Sequence, residues 1–272
     1  LTHFYIFFTW LTQVIYYFCL ENKSNNKLRQ LKMINKNSEI VILGAGIGGL
    51  TTAIALHQNG FKNINIYERR KKKITIGAGL VLWSNATKIL EKLELLTEIQ
   101  KIGGQLEQMQ RWTKNEKFLG AININNINKL IGSKSYSISR TDLQSILLKK
   151  VNELNISIHY GYNALNISYQ DNTASIKFEN DIYVNTQIVI GADGRMNSIA
   201  RKYVNENNTP IYQNFVNWIG IVESDKPIFL ENNVLDFWGC GERFGIVPIN
   251  GNKGYWAGGK SLPINSSFKN KN

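Results

Sequence analysis

Three glycines and one acid in the first third of the chain have the types and spacing needed to hold a phosphate and a sugar. Gly44, Gly46 and Gly49 form the pattern G-x-G-x-x-G. A side chain at Gly46 would block the backbone approach that a pyrophosphate needs, and one at Gly49 would hold a helix away from its strand. Glu68 follows Gly49 by 19 residues, where a carboxylate can accept hydrogen bonds from ribose hydroxyls. These residues predict a dinucleotide site, and Glu68 favours a ribose without a 2′-phosphate, because the two negative charges would repel each other.

The elements that must position these residues can be recognised on both sides of the glycines. Residues 40–43 are a continuous apolar run, as expected for a parallel strand buried on both faces, and the apolar residues of 53–56 fit a helix packed on it. Residues 64–67 supply the next strand, so the segment is predicted to fold as strand, turn, helix and strand. The start of such a helix has unpaired N–H groups and a positive partial charge of about half a unit, which attract phosphate. FAD and NAD both fit this prediction better than NADP, and the geometry does not separate the first two.

Two later segments carry further residues of this kind. The segment VIGADGRMNSIAR, residues 189–201, resembles the Asp-Gly motif of the FAD-dependent aromatic hydroxylases, the single-component flavoprotein monooxygenases typified by p-hydroxybenzoate hydroxylase; Asp193 and Gly194 match the motif. The segment SISRTDLQSILLKKV resembles the helix of the same family that opens on an arginine reaching the flavin, and Arg140 matches. By themselves, Ala-Asp-Gly is an ordinary surface turn and Arg140 a cation at a helix start. The order of the motifs along the chain favours the family.

Two more segments resemble the family less specifically. Residues 77–93, GAGLVLWSNATKILEKL, are similar to the glycine-rich loop and helix close to the isoalloxazine ring. Family members often carry proline before the asparagine that matches Asn85, whereas this chain has Ser84, a change expected to loosen the turn. Residues 241–259 resemble the pair of strands at the floor of the substrate pocket. Three aromatic residues of this segment are predicted to pack within the sheet rather than contact substrate: Phe244, Tyr255 and Trp256.

The resemblance covers residues 34–272 and implies an FAD-dependent monooxygenase. In that family NADH or NADPH reduces FAD, and the flavin then uses O2 to hydroxylate or epoxidise an aromatic or unsaturated small molecule. The sequence contains no convincing catalytic triad or paired carboxylates, which agrees with a protein that binds, orients and excludes water. No catalytic side chain is assigned. The motifs predict ten cofactor-binding residues: Gly44, Ala45, Gly46, Gly48, Gly49, Glu68, Arg69, Arg140, Asp193 and Gly194.

The end of the chain departs from the family pattern. The family continues into a Gly-Asp-Ala-Ala-His-like segment that binds the ribityl chain and pyrophosphate of the flavin, whereas this chain ends in SLPINSSFKNKN, residues 261–272. We therefore expect a fragment or truncated product whose FAD pocket lacks one wall. A non-catalytic nucleotide-binding remnant is the alternative to a monooxygenase. An NAD-dependent dehydrogenase ranks last, because the sequence offers no acid-base residue to place beside a nicotinamide.

The alternation of helical and strand-like segments predicts an α/β fold. We expect a Rossmann-like FAD-binding domain with an interleaved β-sheet substrate domain, because residues 105–136 and 205–272 are rich in short β-like segments. The FAD-binding domain would then comprise residues 34–104 and 137–204. The predicted elements are helices near 48–59, 86–102 and 140–152 and strands near 39–43, 64–67 and 187–190.

Composition ranks the possible partners. A hydrophobic content of 43% is enough to build a core, and the formal net charge of +12 would suit an anionic partner. The basic residues are scattered, however, and the densest run, residues 69–73, lacks interleaved aromatics, so it predicts a solvated loop and not a nucleic-acid surface. Cys19 and Cys240 are far apart in sequence and form no metal or redox motif. The three histidines show no ligand spacing, so no metal site is predicted: His3, His57 and His159.

The first residues form a hydrophobic and then basic extension, residues 1–33. Residues 1–20 are uncharged, rich in aromatics and about as long as a membrane-spanning helix. They are either a membrane anchor or the product of a start called upstream of Met33, which stands just before the first predicted strand. The protein is expected in the cytoplasm if translation starts at Met33, and at a membrane if residues 1–20 are expressed.

Overall fold

The computed structural model describes residues 35–72, 77–205 and 211–264. The helices in this part are α1 (Ile47–Gln58), α2 (Ser84–Lys92), α3 (Leu96–Ile102), α4 (Ile124–Ile131), α5 (Arg140–Glu153) and α6 (Ile199–Val204). The first eight strands are β1 (Ile40–Leu43), β2 (Ile64–Glu68), β3 (Gly79–Leu82), β4 (Gly104–Gln105), β5 (Gln108–Thr113), β6 (Phe118–Asn123), β7 (Tyr136–Ser139) and β8 (Ser157–Tyr160). The other strands are β9 (Ala164–Gln170), β10 (Thr173–Phe178), β11 (Tyr183–Thr186), β12 (Ile188–Gly191), β13 (Phe215–Glu223), β14 (Asn233–Gly239), β15 (Glu242–Asn250) and β16 (Lys253–Ser261).

A four-stranded parallel sheet in the order β12-β1-β2-β8 lies at the centre of the α/β part. Strand β1 is apolar at every position because both of its faces are covered. Ile40 and Ile42 belong to the core shared with helices α1 and α5. Val41 and Leu43 belong to a second cluster that includes Phe178, from the three-stranded sheet β11-β10-β9. The predicted α/β fold is confirmed here, and the three predicted strands and the helices at 48–59 and 140–152 begin and end within one residue of those observed.

The single helix predicted over residues 86–102 is wrong: the chain forms two helices, α2 and α3. They are separated at Glu94, whose φ of 59° lies in the left-handed region and ends the first helix. The amide of Leu95 donates to the carbonyl of Leu90, closing the turn at 2.9 Å. Leu93 and Leu95, on either side of Glu94, are both buried in the core. Burial of both leucines therefore accompanies the break in the helix.

A six-stranded sheet in the order β13-β16-β15-β14-β5-β6 forms the second large layer. Its neighbours are antiparallel except β14 and β5, which run parallel with Asn233 opposite Gln108. This pairing joins residues 108–123 to residues 215–261, which belong to the two pieces of the predicted substrate domain. A small sheet, β3-β7-β4, lies beside it, and the Ser137 hydroxyl donates to the Pro248 carbonyl of β15. The domain boundaries themselves stay a prediction.

No helix in the described part of the chain is both long and apolar enough to cross a membrane. The hydrophobic segment at residues 1–20 lies outside the described residues.

Candidate dinucleotide site and adjoining cavity

Three strand ends meet at one edge of the parallel sheet, because β12, β1 and β2 are parallel neighbours. Leu43 is paired with Gly191 on one side and with Tyr67 on the other. The chain leaves β1 for β2 through α1, while β12 flanks β1 on the opposite side. Open α/β sheets bind ligands at such a point, beyond the carboxyl ends of their strands. Three features are therefore brought together here: Glu68, the glycine turn, which we define as residues 44–46, and the Asp193 turn, which we define as residues 192–194.

Two glycines are required by the packing of the protein itself. Gly44 has a φ of +108°, and a Cβ added there would lie 2.3 Å from the carbonyl oxygen of Ala192. A Cβ at Gly49 would lie 1.9 Å from the carbonyl oxygen of Gly44. Both distances are far below van der Waals contact, so glycine is the residue that lets α1 and the Asp193 turn approach the glycine turn.

Two other glycines face open space. A Cβ added at Gly46 or at Gly48 would have no heavy atom within 4 Å. Gly46 is the N-cap of α1, no side chain caps the helix there, and its first turn contains no acidic residue. The first N–H groups of a helix have no partners within the helix and carry its positive partial charge. The start of α1 therefore offers an open cradle for an anion.

Glu68 connects β2 to the glycine turn. Its side chain is buried, with 9% of the residue exposed. One carboxylate oxygen accepts from the amide of Ala45 at 2.9 Å, and the other accepts from the amide of Arg70 at 3.0 Å. A carboxylate has about four acceptor positions, so Glu68 keeps the capacity to accept from ribose hydroxyls. Arg69, in contrast, is exposed, and its role at the site stays a prediction.

Arg140 lies beside residues 77–78, at the start of the segment that resembles the glycine-rich loop near the isoalloxazine ring. It is the first residue of α5, and its amide donates to the carbonyl of Ala78 at 2.8 Å. A Cβ added at Gly77 would lie 3.1 Å from the Cβ of Arg140, so this side chain covers the start of the segment. The arginine therefore packs against residues 77–78. Its contact with the flavin stays a prediction.

Gln144 belongs to the site, although its type and position in the sequence did not identify it. Its amide nitrogen donates to the carbonyl of Ala45 in the glycine turn, at 3.1 Å. The residue is 4% exposed, and its side-chain oxygen is buried without a hydrogen-bond partner among the described residues. A signal was available: Gln144 is one helical turn after Arg140, on the same side of α5, between the buried Leu143 and Leu147. A polar side chain between two buried leucines of a helix needs a hydrogen-bond partner inside the protein.

The carboxylate of Asp193 binds the start of α6, the helix that follows it in the chain. Its oxygens accept from the hydroxyl of Ser198 at 2.5 Å and from the amides of Ile199 and Ala200 at 2.7 and 3.3 Å. It therefore caps α6 and holds the turn in place. Gly194 has a φ of +96° and would have no heavy atom within 4 Å of an added Cβ. The backbone at this turn faces the glycine turn, while the Asp193 carboxylate orders it.

A cavity of about 240 Å³ lies between β3 and the six-stranded sheet. Val81 and Trp83 line it from the β3 side, and Tyr255 packs so closely that a Cβ at Gly79 would lie 1.9 Å from its ring. Burial strongly raises the pKa of Tyr255, although the charge of Arg243 opposes the shift, so its hydroxyl stays protonated at neutral pH. The polar residues that line the cavity are Asn217, Asp236, Arg243 and Tyr255.

Two expectations about this region are revised. Ser84 does not loosen its turn, because its amide donates to the Ser135 hydroxyl at 3.0 Å, a bond that proline could not make. Phe244 and Trp256 stack with centroids 6.1 Å apart, as predicted for packing within a sheet, whereas Tyr255 also lines the cavity. Among the described residues, no group of three or more His, Cys, Asp or Glu side chains is placed to hold a metal ion.

Comparison with known proteins places this geometry in context. The family described as FAD binding domain matches residues 37–266. The FAD-dependent urate hydroxylase of Mycolicibacterium vanbaalenii is 29% identical over 80% of this chain and 55% of its own length. The 3-hydroxybenzoate 6-hydroxylase 1 of Aquipseudomonas alcaligenes is 24% identical over 80% of this chain and 56% of its own. The solved structure of Klebsiella pneumoniae HpxO complexed with FAD and uric acid is similar with a TM-score of 0.74 and 25% identity, over 85% of this chain and 58% of that one. The chain thus spans a little over half the length of the curated relatives it matches.

Proposed function

Since the chain belongs to the FAD-binding domain family, we propose that the protein is an FAD-dependent monooxygenase. It uses NADH or NADPH and O2 to hydroxylate or epoxidise an aromatic or unsaturated small molecule. The observation that supports this most is the open cradle at Gly46 and Gly48, at the uncapped start of α1 and beside the Asp193 turn.

The residues around the cradle fit FAD. The amides at the start of α1 would hold the diphosphate, and Glu68 would accept from the ribose hydroxyls of the adenosine. The side-chain oxygen of Gln144 is a buried acceptor without a hydrogen-bond partner among the described residues. The side-chain nitrogen of the same residue donates to the Ala45 carbonyl in the glycine turn. Such an orphaned acceptor is costly without a donor, and a bound hydroxyl or N–H group would supply one. The backbone of Gly194, with open space around it, completes the set of candidate contacts.

FAD, when bound, supplies the redox chemistry by taking electrons from a reduced nicotinamide and passing them to O2. The protein has three tasks. It fixes the dinucleotide through the glycine turn and Glu68, and it covers the start of the 77–82 segment with Arg140. It also excludes water near the reacting atoms with the apolar side chains of Val81 and Trp83, because access of water would let the activated oxygen be lost without forming product.

The cavity beside β3 is the candidate substrate site. An apolar cavity of about 150 Å³ is enough for benzene, so about 240 Å³ accommodates one substituted ring. Its protonated Tyr255 hydroxyl can donate a hydrogen bond to such a substrate. Support also comes from the names of relatives, which include a urate hydroxylase and a hydroxybenzoate hydroxylase. We propose accordingly that the sheet containing β5, β6 and β13–β16 forms the substrate domain, and that residues 34–104 and 137–204 form the FAD-binding domain.

The proposal is tested by purifying the chain in the longest reading frame that contains it. We expect a yellow protein with a flavin absorption spectrum, and oxidation of NADH or NADPH that accelerates when urate or another substituted aromatic ring compound is added. A protein that stays colourless after incubation with FAD would contradict the cofactor assignment. Flavin binding with no acceleration by any aromatic compound would contradict the monooxygenase assignment alone.

Glu68→Ala is predicted to weaken FAD binding by about 1–3 kcal/mol, the scale for unpaired buried hydrogen-bonding groups. The change removes the acceptor for ribose and also frees the amide of Ala45. FAD affinity is measured by quenching of flavin fluorescence, and the urea midpoint separates binding from stability. The matched control is Glu91→Ala, an exposed glutamate on α2, which is expected to leave FAD affinity unchanged. Equal affinity of Glu68→Ala and the parent protein would remove Glu68 from the site.

A further inference from the structure

The cavity beside β3 contains a paired positive and negative side chain. Among the described residues that line it, Asp236 of β14 and Arg243 of β15 carry charge. The guanidinium Nε of Arg243 donates to one carboxylate oxygen of Asp236 at 2.6 Å, and Nη2 donates to the other at 3.2 Å. The indole N–H of Trp238 donates to the second oxygen at 2.7 Å. This two-pronged geometry is the strongest that an arginine and a carboxylate form.

Asp236 is the buried member of the pair. The residue is 2% exposed, whereas half of the Arg243 side chain is exposed. A carboxylate removed from water in this way depends on its partners, and its three donors come from Arg243 and Trp238. The guanidinium is therefore held by Asp236 at the wall of the cavity.

The pair changes what the cavity can bind. An unpaired arginine would attract a carboxylate through its planar fork of donors. Here Nε and Nη2 are already engaged, and the charges of the two side chains cancel. A carboxylate entering the cavity would lose its hydration and meet the Asp236 charge beside the arginine, so its desolvation would not be repaid. An uncharged ring with a hydroxyl or amide group loses less and can still bond to Asn217 or to free guanidinium N–H groups.

Two further titratable side chains lie near the pair. Tyr255 is neutral because burial raises its pKa. Arg111 is a second cation, opposite Asp236 in the register of β5 and β14, and its Nε is buried without a hydrogen-bond partner among the described residues. Its guanidinium lies 5.2 Å from the Trp238 ring centre, and the residue does not line the cavity. The lining of the cavity thus has no net charge.

We propose that Asp236, by neutralising Arg243, makes this cavity selective for uncharged ring substrates that carry hydrogen-bonding groups, over the corresponding carboxylates. The inference rests on the proposed function in taking this cavity as the substrate site. It assigns to Asp236 the role of a specificity-determining residue that acts through Arg243.

The test compares two ligands of nearly equal shape, 3-hydroxybenzamide and 3-hydroxybenzoate, by calorimetry or by quenching of tryptophan fluorescence. The wild-type chain is expected to bind the amide at least 10-fold more tightly than the carboxylate. Asp236→Asn keeps the size of the side chain but leaves Arg243 without its counter-charge, so affinity for the carboxylate should rise at least 10-fold while affinity for the amide changes little. The double variant Asp236→Asn with Arg243→Gln restores a neutral wall and should not gain affinity for the carboxylate.

A wild-type preference for the carboxylate would overturn the inference, as would unchanged selectivity in a folded Asp236→Asn protein or the failure of both ligands to bind the wild type. If circular dichroism shows that Asp236→Asn does not fold, the wild type and the double variant decide, and a carboxylate preference in either overturns it. FAD content is measured on the same preparations. Loss of flavin binding tells against the proposed function, whereas a wrong ligand preference with flavin bound tells against Asp236 alone.

Discussion

Gly46→Val should give a folded protein that has lost at least about 100-fold in FAD affinity, equivalent to roughly 3 kcal/mol. The side chain has room within the protein, because a Cβ at Gly46 would meet no heavy atom within 4 Å. The same space is where a diphosphate must approach the start of α1, and the valine would occupy it. Binding and folding are therefore expected to separate at this residue.

Flavin retention after gel filtration and the urea midpoint measure the two effects on one preparation. The control is Gly251→Val, in the turn between β15 and β16, where the nearest heavy atom to an added Cβ is 3.8 Å away. That variant should keep the parent's flavin content. If Gly46→Val binds FAD as tightly as the parent protein, the diphosphate does not lie at this turn.

Gly49→Ala should destabilise the protein by about 3 kcal/mol or more, at the upper end of the range for overpacking. The added methyl carbon would lie 1.9 Å from the carbonyl oxygen of Gly44. Because the colliding atom belongs to the backbone, relief requires α1 to move away from the glycine turn. The expected result is a large fall in the urea midpoint, with loss of flavin as its consequence.

The neighbouring glycine provides a matched control. Gly48→Ala adds the same methyl group to the same helix, with no heavy atom within 4 Å. Alanine is favoured over glycine inside a helix by roughly 0.5–1 kcal/mol, so this variant should unfold at a slightly higher urea concentration than the parent. A Gly49→Ala protein as stable as the Gly48→Ala protein would show that α1 and the glycine turn are not in close contact.

Much of the nucleotide-binding end could be predicted from the sequence, because its signals are local. The apolar run at residues 40–43 and the glycine spacing predicted strand, turn and helix within a residue of their observed bounds. Prediction was wrong over residues 86–102, since the helical pattern does not show that Glu94 takes a left-handed conformation between two buried leucines. It also passed over Gln144, whose partner, the carbonyl of Ala45, lies far away along the chain.

The candidate substrate cavity was less accessible to sequence reasoning. The segment at residues 241–259 was recognised by resemblance, and its aromatics were expected to pack within the sheet. The structure places Tyr255 at the cavity wall, against Gly79 from a distant part of the chain. Asp236 and Arg243 lie on the two strands of a hairpin, and no pattern in the sequence predicted that they would pair.

By itself, the sequence determined where the backbone must bend and which segments must be buried. Glycine spacing and apolar patterning set these features because both act between residues that are close together in the chain. The tertiary structure decided which segments became neighbours, including β12 beside β1, Gln144 beside Ala45 and Asp236 beside Arg243. The physical reason is that the hydrophobic effect rewards burial without direction and does not name a partner. Partners are selected by the shape and the hydrogen-bond geometry of surfaces that exist only once the chain has folded.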